Sequence, residues 1–571
     1  MITGFFKKAV KVFWLLPGFL LWAAFPPMGE KMDVLFALAP LIWLSRRADA
    51  KTSAKRWFAA GLFFWVATLS WMPAIVKNGG PWPLVVLGWA VLSAYCAAYF
   101  AAYGYLSAKA WGWVKEGRYW RRLLAVFFVE PVLWCGLELL RSRLGGGFAW
   151  NQLGVVAVNG GFGAPAALGG VYLLSAVIFL INGTVAGIAE RVWRRELTGP
   201  RWAQPLETML PFALVWGIFT AADACMPQPE TVSAEPVRVA MVQRNFPCVF
   251  KEQDDNPYRI YEKLVGNFSA LRPELAVLAE SAMCEFGDVD RRGALAFSQW
   301  FSELTGAALL AGGSRQEGGA IYNSAALYQP TAAMQVYDKV HLVPFGEFIP
   351  GDKWITALQK FAPVGSCTPG ELKLLTLRRA NGSEVKLAVA ICFEDTDSAQ
   401  MRKLAAMGAE MFVFITNDSW FSDSVEAEQH AWQARARAVE TGLAAVRVGN
   451  SGVTGTIAPS GAATWLVGSD SRLLVDRRGT MFDRVVPRKS ATPYVRFGDK
   501  PLAAAFALLL LAFAVQSKKG SGSVFQHQNL TSGFGQSSCH GAAPDSGPRH
   551  YRVYFFHGFI MHKKRTYPRK V

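Results

Sequence analysis

The chain has 571 residues, of which 52% are hydrophobic and 18% charged, and its formal net charge is +17. This length exceeds that of one compact domain, and so much apolar surface needs a very large core or a lipid solvent. The basic charge does not indicate nucleic-acid binding, because the soluble region has no zinc-finger spacing, no aromatic–basic RNA motif and no basic recognition helix.

The first 225 residues carry long apolar runs separated by short basic loops. A helix needs about 20 apolar residues to cross a bilayer. The pattern predicts spanning helices at 10–26, 33–45, 57–76, 84–108, 123–140, 165–187 and 208–225, and one more at 501–516. The second is short and contains Pro40. The first lacks a small-residue cleavage site and precedes further spans, so it is interpreted as an anchor and not a removable signal peptide.

The distribution of Lys and Arg over alternate loops predicts the orientation. One set of loops, which begins with the N-terminal segment, contains 17 of these residues, and the other set contains 4. The N-terminus is therefore predicted to be cytoplasmic and residues 226–500 to lie outside. The eighth span then returns residues 517–571 to the cytoplasm, which agrees with the nine Lys and Arg of this tail against a single Asp545.

The predicted organisation is a polytopic α-helical membrane domain (1–225), an extramembrane α/β domain (226–500), a C-terminal span (501–516) and a basic, disordered tail (517–571). Glu130 and Glu138 lie in or at the end of the fifth span, where a carboxylate is a functional candidate by default. A structural role is the alternative, with Glu138 at the interface and paired with Arg141.

Short apolar runs bounded by polar turns predict the buried strands of an α/β sandwich at 238–243, 275–279, 307–311, 386–392 and 411–416. Three residues able to take part in covalent chemistry end such runs or lie in loops: Glu280 closes the run at 275–279, Cys392 closes the run at 386–392, and Lys339 lies in the segment 337–348. A thiol needs a base to remove its proton and a cation to stabilise the oxyanion that forms later. Glu280 is the candidate base and Lys339 the candidate oxyanion donor. For each residue alone, a structural role is the alternative. The catalytic hypothesis rests on the order of the three residues along the chain.

This order resembles the nitrilase superfamily and, within it, the apolipoprotein N-acyltransferase family. The motifs that carry the resemblance are DKVHLVPFGEFIP (338–350), AICFED (390–395), ITNDSWF (415–421), VQRNFP (242–247), NSGVTGTIAPSG (450–461) and ELLRSRLGGGFAWNQLG (138–154). They extend over roughly residues 10–516. The resemblance implies an αββα sandwich on the periplasmic face of a bacterial inner membrane, with both termini in the cytoplasm.

The resemblance also implies the reaction. Cys392 would take an acyl chain from a membrane phospholipid as a thioester and pass it to the α-amine of a diacylated apolipoprotein, with Glu280 as base and Lys339 as oxyanion donor. Glu347 and Glu394 match further glutamates of the family and would position Lys339 and the loops. The chain is expected to be monomeric.

The chain departs from the family pattern at Leu278 and Ala279, where Trp and Pro are usual, and at Phe393, which replaces a Tyr. These changes affect the lining of the site and leave acyl-chain preference open. Asn417 and Trp420 are candidate lining residues, with an Asx-type turn and a packed Trp as the alternative. His430 is interpreted as a capping or packing residue.

No residue group has metal-ligand spacing and no glycine-rich phosphate loop precedes a helix, so neither a metal nor a cofactor is predicted. One disulfide among Cys225, Cys248, Cys284 and Cys367 is left open. Two other functions also stay open. A membrane-bound amidase would use the same three residues to hydrolyse a C–N bond, although tethering needs only one helix. An inactive lipid- or lipoprotein-binding module is the third.

Overall fold

The structure is a computed structural model that describes residues 13–115, 119–194, 203–225, 235–246, 257–266, 268–283, 286–287, 291–349 and 366–532. Cys248 and Cys284, considered above for a disulfide, lie outside these residues, as do positions 533–571 of the predicted tail. Cys225 and Cys367 are free thiols.

The N-terminal part of the chain is helical. Its α-helices are α1 (Leu16–Ala23), α2 (Ala39–Ser45), α3 (Ala50–Thr68), α4 (Trp82–Lys115), α5 (Tyr119–Leu124), α6 (Glu130–Arg141), α7 (Leu153–Asn159), α8 (Ala166–Arg194) and α9 (Ala203–Cys225). Five stretches of the described residues are long and apolar enough to cross a membrane: Ala50–Asn78, Trp82–Val114, Tyr119–Arg141, Ala166–Val192 and Thr208–Cys225. They correspond to the third to seventh predicted spans.

The first two predicted spans do not form single long helices in the part of the chain that the structure describes. Helix α1 has 8 residues and is followed by the cis Pro26–Pro27 bond, and α2 has 7 residues with Pro40 in its first turn. Pro40 cannot continue the hydrogen-bond ladder of the preceding turn, which explains why the second run is interrupted. The prediction of a continuous helix at 33–45 was therefore wrong, whereas the described residues of the first run are helical from Phe13 to Ala23.

Residues 31–46, which contain the second predicted span, nevertheless extend from the α/β domain to the far end of α4. Lys31 lies over the Trp432 ring of the α/β domain, whereas Arg46 lies over Trp111 near the far end of α4. At the break, the Asn182 side chain accepts from the N–H groups of Leu38 (2.8 Å) and Ala39 (3.0 Å). One side chain thus satisfies backbone groups that an interrupted helix leaves unpaired in an apolar layer.

Glu130 and Glu138 are buried and occupied by structural contacts. Glu130 binds Arg46 (Oε2–Nη2 2.9 Å) and accepts from the Trp111 indole (2.7 Å). Glu138 accepts from the backbone N–H of Leu153 at 3.1 Å, while Arg141 donates to carbonyl groups of its own loop. The structural alternative explains both carboxylates, and for Glu138 the partner is a backbone amide.

The described residues of the α/β domain form thirteen strands: β1 (Val237–Gln243), β2 (Leu275–Leu278), β3 (Phe286–Gly287), β4 (Ala308–Glu317), β5 (Ala320–Gln329), β6 (Ala332–Asp338), β7 (Leu375–Arg378), β8 (Glu384–Ile391), β9 (Met411–Thr416), β10 (Ala445–Gly449), β11 (Gly455–Ile457), β12 (Ala463–Trp465) and β13 (Gly479–Val485). They form two sheets, ordered β13-β1-β2-β4-β5-β6 and β12-β11-β10-β9-β8-β7, with β3 on β4. Within each sheet the central strands are parallel, β1–β2–β4 in one and β8–β9–β10 in the other.

The two sheets pack face to face and carry helices on their outer surfaces. Alternate residues of both sheets, such as Val239, Val277, Val389 and Val413, form one buried cluster between them. The outer helices are α10 (Pro257–Val265), α11 (Phe268–Leu271) and α12 (Arg291–Thr305) on one side, and α13 (Ser398–Ala406) and α14 (Glu426–Thr441) on the other. This is the predicted αββα sandwich.

The chain ends the domain with α15 (Pro493–Phe497) and then α16 (Lys500–Ser532). The apolar part of α16, Lys500–Gln516, matches the last predicted span. The helix continues to Ser532, past the predicted start of the tail at 517.

Candidate active site

The nucleophile candidate Cys392 lies where β8 ends and a short 3₁₀ turn, Cys392–Thr396, begins. Its backbone has a φ of +52°, a left-handed conformation that costs energy for a residue with a Cβ. The Glu394 carboxylate closes the turn by accepting from the N–H of Ile391 at 2.8 Å. The thiol is thereby presented, partly exposed, at the edge where the parallel strands end.

Glu280 and Lys339 lie together at this edge. Glu280 follows β2 and Lys339 follows β6, and the distance between Glu280 Oε1 and Lys339 Nζ is 3.9 Å. The approach of β4 to this turn requires glycine at position 312, where a Cβ would lie 2.7 Å from the Cα of Glu280. Strand pairing thus brings together two residues that are 59 positions apart in the sequence.

Glu347 is the nearest partner of Lys339, with an Oε1–Nζ distance of 2.9 Å. Asn323 connects the two carboxylates, because its Nδ2 donates to Glu280 Oε1 (2.7 Å) and to Glu347 Oε1 (2.6 Å). The second oxygen of Glu347 accepts from the N–H of Val343 (2.8 Å). Glu347 therefore holds both the lysine and its loop. Asn323 was not singled out from the sequence, since only the pairing of β5 with β6 places it beside Lys339.

Glu394 is buried and fully hydrogen-bonded. Besides Ile391, it accepts from the N–H groups of Val340 (2.8 Å) and His341 (3.1 Å) and from the Tyr337 hydroxyl (3.0 Å) and the Gln400 amide (2.7 Å). A carboxylate with this many donors is a structural element. It ties the loop after Lys339 to the turn that carries Cys392.

The charges around the thiol are unevenly distributed. Burial and the Glu280 carboxylate raise the pKa of Cys392, and Lys339 acts against them. Burial also raises the pKa of Glu280, again opposed by Lys339. Although burial alone would lower the pKa of Lys339, Glu347 and Glu280 raise it well above its usual range. The ammonium group stays charged, while Glu280 has a greater proton affinity than an ordinary carboxylate.

Phe393 lies in an aromatic stack that connects the site to the helical domain. Its ring is stacked on Trp150 (centroids 6.4 Å apart, 11° between planes) and on Phe148 (6.3 Å, 16°). The Trp150 indole donates to Gln429 of α14 at 2.9 Å. The loop after α6 therefore packs directly against the residue that follows the nucleophile.

The two candidate lining residues after β9 differ in their surroundings. Asn417 caps a 3₁₀ turn by accepting from the Ser419 N–H (3.3 Å), and it accepts from the Asn450 amide (2.9 Å). Its backbone N–H donates to Glu280. The carbonyl of Trp420 accepts from Asn78 of the helical domain (2.9 Å). Asn417 belongs to the site through its backbone, whereas Trp420 lies at the boundary between the domains.

A buried charged cluster lies behind the nucleophile. It consists of Asp395, Asp418, Glu426, His430 and Arg447. His430 contacts Asp395 at 2.9 Å and Asp418 at 3.1 Å. The residue is buried and packs against Trp150, in agreement with the interpretation as a packing residue, and the charged contacts are a feature that the sequence did not indicate. The nearest sequence signal was a histidine among apolar helix positions close to other charged residues.

Three members of this cluster, Asp418, Glu426 and His430, bring one ligand atom each within 4.8 Å of one another, as a metal site requires. Their protonation fits a metal poorly. Asp395 and Asp418 overcome the effect of burial and raise the pKa of His430 to about 10. Both ring nitrogens of an imidazolium are donors and neither can bind a cation. The Arg447 guanidinium, 3.6 Å from Asp418, already supplies positive charge there.

As a chemical unit, the edge combines a partly exposed thiol, a carboxylate of raised proton affinity and a fixed ammonium group. This is the set of groups that covalent acyl transfer through a thioester needs. The aromatic stack and the long apolar helices next to it suit a substrate with acyl chains.

Comparison with known proteins agrees with both parts of the molecule. Residues 17–184 match the model of the apolipoprotein N-acyltransferase N-terminal domain, and residues 275–538 match that of carbon-nitrogen hydrolases. An apolipoprotein N-acyltransferase of Geobacter metallireducens is 30% identical over 458 residues, which are 78% of this chain and 84% of the relative. One of Ralstonia nicotianae is 29% identical over 507 residues, covering 87% and 91%.

Among solved structures, the α/β domain is similar to an amidase of the nitrilase superfamily from Nesterenkonia AN1. The identity is 18% and the TM-score 0.34, with 48% of this chain and 97% of that chain covered.

Proposed function

We propose that this chain, which belongs to the apolipoprotein N-acyltransferase family, transfers an acyl chain from a membrane phospholipid to the N-terminal α-amine of a diacylglyceryl-cysteine apolipoprotein. This is the last step of lipoprotein maturation. The observation that carries the proposal is the convergence of Glu280, Lys339 and Cys392 at one edge of the sandwich, beside an aromatic stack from the membrane helices.

In the first half-reaction, Glu280 accepts the thiol proton and the Cys392 sulfur attacks the carbonyl carbon of a phospholipid ester. Lys339 stabilises the oxyanion of the tetrahedral intermediate. Collapse of the intermediate breaks the ester C–O bond. Glu280 returns the proton to the leaving alkoxide, which departs as a lysophospholipid and leaves an acyl thioester on Cys392.

In the second half-reaction, the α-amine of the apolipoprotein attacks the thioester carbon. Glu280 accepts a proton from the amine, Lys339 again stabilises the oxyanion, and the C–S bond breaks. The acyl chain is now in an amide, and the proton held by Glu280 neutralises the thiolate. No net oxidation occurs, and one thiol serves both steps.

The contacts between the two domains support a site at the membrane surface. Gln429 of α14 accepts from Trp71 (3.2 Å) and Trp150 (2.9 Å) and donates to the carbonyls of Pro26 and Thr68 (both 3.2 Å). All four partners belong to the helical domain, at or after the C-terminal ends of α1, α3 and α6. A nucleophile held at this level reaches an ester at the base of a phospholipid headgroup without moving the acyl chains into water.

The contacts of the basic residues between the membrane segments support a periplasmic catalytic domain. Three of the four basic residues of the Lys- and Arg-poor loops contact the α/β domain, namely Lys31 on Trp432, Lys77 on Asp423 and Arg143 on Asp397. In contrast, Arg46, Arg47 and Arg122 of the basic loops pair with the membrane-domain residues Glu130 and Glu190. The basic loops therefore gather away from the catalytic domain, as the predicted inner-membrane orientation requires.

The activity is tested with the full chain in phospholipid vesicles that carry a radiolabelled acyl chain, together with a synthetic diacylated lipopeptide. We expect the lipopeptide to gain one labelled acyl chain in an amide, with an equal amount of lysophospholipid. An amidase would instead release the label as free fatty acid when water resolves the thioester. A binding module would leave the label in phospholipid, and either result would overturn the proposal.

The orientation is tested by labelling with a membrane-impermeant maleimide in intact cells and in cells with a permeabilised outer membrane. The two reporters are Ser383→Cys on the catalytic domain and Lys51→Cys in the first turn of α3, within a predicted basic loop, both at exposed positions, in a background without the eight native cysteines. We expect Ser383→Cys to react once the outer membrane is open, and Lys51→Cys to react only after lysis. The reverse pattern would place the catalytic domain in the cytosol.

A further inference from the structure

The His430 ring makes contacts on both of its nitrogens behind the nucleophile. Nε2 lies 2.9 Å from Asp395 Oδ1 and 3.3 Å from the backbone carbonyl oxygen of Cys392. Nδ1 lies 3.1 Å from Asp418 Oδ1 and 3.5 Å from Glu426 Oε1. The ring is buried, so water does not compete for these contacts.

We propose that His430 is a positioning residue for the nucleophile. Its ring, held between Asp395 and Asp418, donates to the backbone carbonyl of Cys392 and so fixes the left-handed turn that presents the thiol. This inference rests on the proposed function, because it assigns a role around Cys392 only if that thiol reacts.

The backbone geometry at Cys392 explains why such a contact is needed. A φ of +52° at a non-glycine residue persists only when the surroundings fix it. Glu394 holds the turn from the N–H of Ile391, on the strand side. His430 holds it from the carbonyl of Cys392, on the other side of the same residue. The first contact holds the Ala390–Ile391 peptide, one residue before the nucleophile, and the second holds the Cys392–Phe393 peptide directly after it.

The charges of the cluster favour an imidazolium in this place. The groups that face His430 are Asp395 from the turn after β8, Asp418 from the turn after β9, Glu426 from its own helix and Arg447 from β10. Burial and Asp418 raise the pKa of Glu426 well above its usual range, which favours the neutral form of this group. Two carboxylates then face two cations, and the cluster is electrically balanced only when His430 is protonated.

The cluster is also connected to the thiol through Thr416. The Thr416 hydroxyl donates to Asp418 Oδ1 (2.7 Å) and lies against the Cys392 thiol. Glycine is required at position 452, where a Cβ would lie 1.8 Å from Asp418 Oδ2. Close packing thus fixes the position of Asp418. Because Asp418 is held there, loss of the positive charge at His430 would change the electrostatic potential at the Cys392 sulfur.

The test is alkylation of the purified full chain with iodoacetamide over a range of pH, read at the Cys392 peptide by mass spectrometry. In His430→Gln, we expect the alkylation midpoint to shift to higher pH, because a cation near the thiolate is lost. We also expect acyl-thioester formation from phospholipid vesicles to slow roughly tenfold to a hundredfold, the value of a hydrogen bond from a charged donor. His430→Ala should be slower still, since a glutamine amide still donates to the carbonyl.

Charge compensation separates positioning from simple packing. The double variant Asp418→Asn/His430→Gln loses one carboxylate with the cation, so its alkylation midpoint should return towards that of the parent protein. Arg435→Gln is the matched control, because it removes a cation from the same helix whose partners are the Gly461 carbonyl (2.8 Å) and Asn159 (2.9 Å), outside the turn that carries Cys392. We expect its midpoint to equal that of the parent protein.

An unchanged midpoint in His430→Gln, or one stoichiometric metal ion per purified chain, would overturn the role of His430. The outcome is separable from the proposed function, because alkylation reports on the thiol without any lipid substrate. Failure of the parent protein to form an acyl thioester would instead overturn the proposed function.

Discussion

The molecule contains two buried ionic groups with different arrangements, one among the membrane helices and one at the edge of the sandwich. Arg46 and Glu130 form a pair with one charge of each sign, both side chains 1% exposed, and Arg46 Nη2 also donates to the Gly183 carbonyl at 3.1 Å. Lys339 is equally buried but lies near two carboxylates, Glu280 and Glu347. In a neutral, closely bound pair, each charge stabilises the other and both groups keep their protonation states. An excess of carboxylates instead raises the proton affinity of one carboxylate.

This difference shows why a buried charge in a membrane domain is not by itself a functional site. The contacts of Glu130 are those of a structural pair, with Arg46 at 2.9 Å and the Trp111 indole at 2.7 Å. Around Glu280, the charges act on a thiol. Substitutions in the two groups should therefore impair different properties, catalysis around Glu280 and stability around Glu130.

Replacement of the base should have the greatest consequence. Glu280→Gln keeps the shape of the side chain but cannot accept a proton, so thioester formation should fall roughly 10³-fold. The measurement is single-turnover acylation of the purified chain by labelled phospholipid. Glu384→Gln, at an exposed position of β8, is the matched control and should keep the parent rate. A rate for Glu280→Gln within a few-fold of the parent would show that another group removes the thiol proton.

Lys339→Met should slow acylation about 10²- to 10³-fold, because a preorganised oxyanion donor is lost. The loss should appear in kcat more than in KM, since the ammonium acts on charge that develops in the transition state. Steady-state kinetics with the diacylated lipopeptide measure the two constants. An effect on KM alone would assign Lys339 to substrate binding.

Arg46→Met is the counterpart in the membrane domain. It leaves a buried carboxylate without its cation, which we expect to lower the unfolding free energy by about 3 kcal/mol. The acylation rate of the protein that remains folded should be unchanged. Thermal unfolding in detergent and single-turnover acylation provide the two readouts. A large loss of rate at full stability would contradict the structural role of the pair.

The aromatic stack should have a smaller effect. Phe393→Leu keeps an apolar side chain but removes ring contacts with Trp150 and Phe148, worth about 1 kcal/mol. We expect a several-fold rise in KM for phospholipid and little change in kcat. Phe393→Tyr restores the residue common in the family and should retain the parent KM, so a rise there would point to overpacking.

The pH dependence should show the smallest change. Because burial raises the pKa of Glu280, acylation should fall on acidification at a pH above the ordinary carboxyl pKa of 4.5. Only the deprotonated form is a base, so activity is present above this pKa and lost below it. The Asn323 hydrogen bond lowers the Glu280 pKa, and Asn323→Ala should therefore shift the acidic limb to higher pH. A shift to lower pH would contradict the assignment of that limb to Glu280.

The sequence predicted the sandwich well because its buried strands are short and apolar. The predicted strand at 411–416 matches the observed strand Met411–Thr416 at both ends, and Glu280 and Cys392 lie at the ends of their strands as predicted. The continuous helix at 33–45 was wrong, since hydropathy does not register that Pro40 breaks the ladder and that Asn182, far along the chain, replaces the lost hydrogen bonds.

The supporting residues of the site were the hardest to predict. Asn323 connects Glu280 to Glu347 only because β5 pairs with β6 in one register. His430 seemed an ordinary helix residue because its partners, Asp395 and Asp418, are brought to it by the ends of two separate strands. Local patterns reveal reactive residues on strand ends, whereas contacts between distant segments follow from tertiary packing.

The most direct test of a thioester on Cys392 is mass spectrometry of the full chain after incubation with phospholipid vesicles and without acceptor lipopeptide. The predicted result is a Cys392 peptide that carries one acyl chain, is released by hydroxylamine, and is absent from Cys392→Ser. Addition of the diacylated lipopeptide should remove this chain and yield an equal amount of N-acylated product. An acyl chain on another residue, or transfer to lipopeptide by Cys392→Ala, would contradict the proposed reaction.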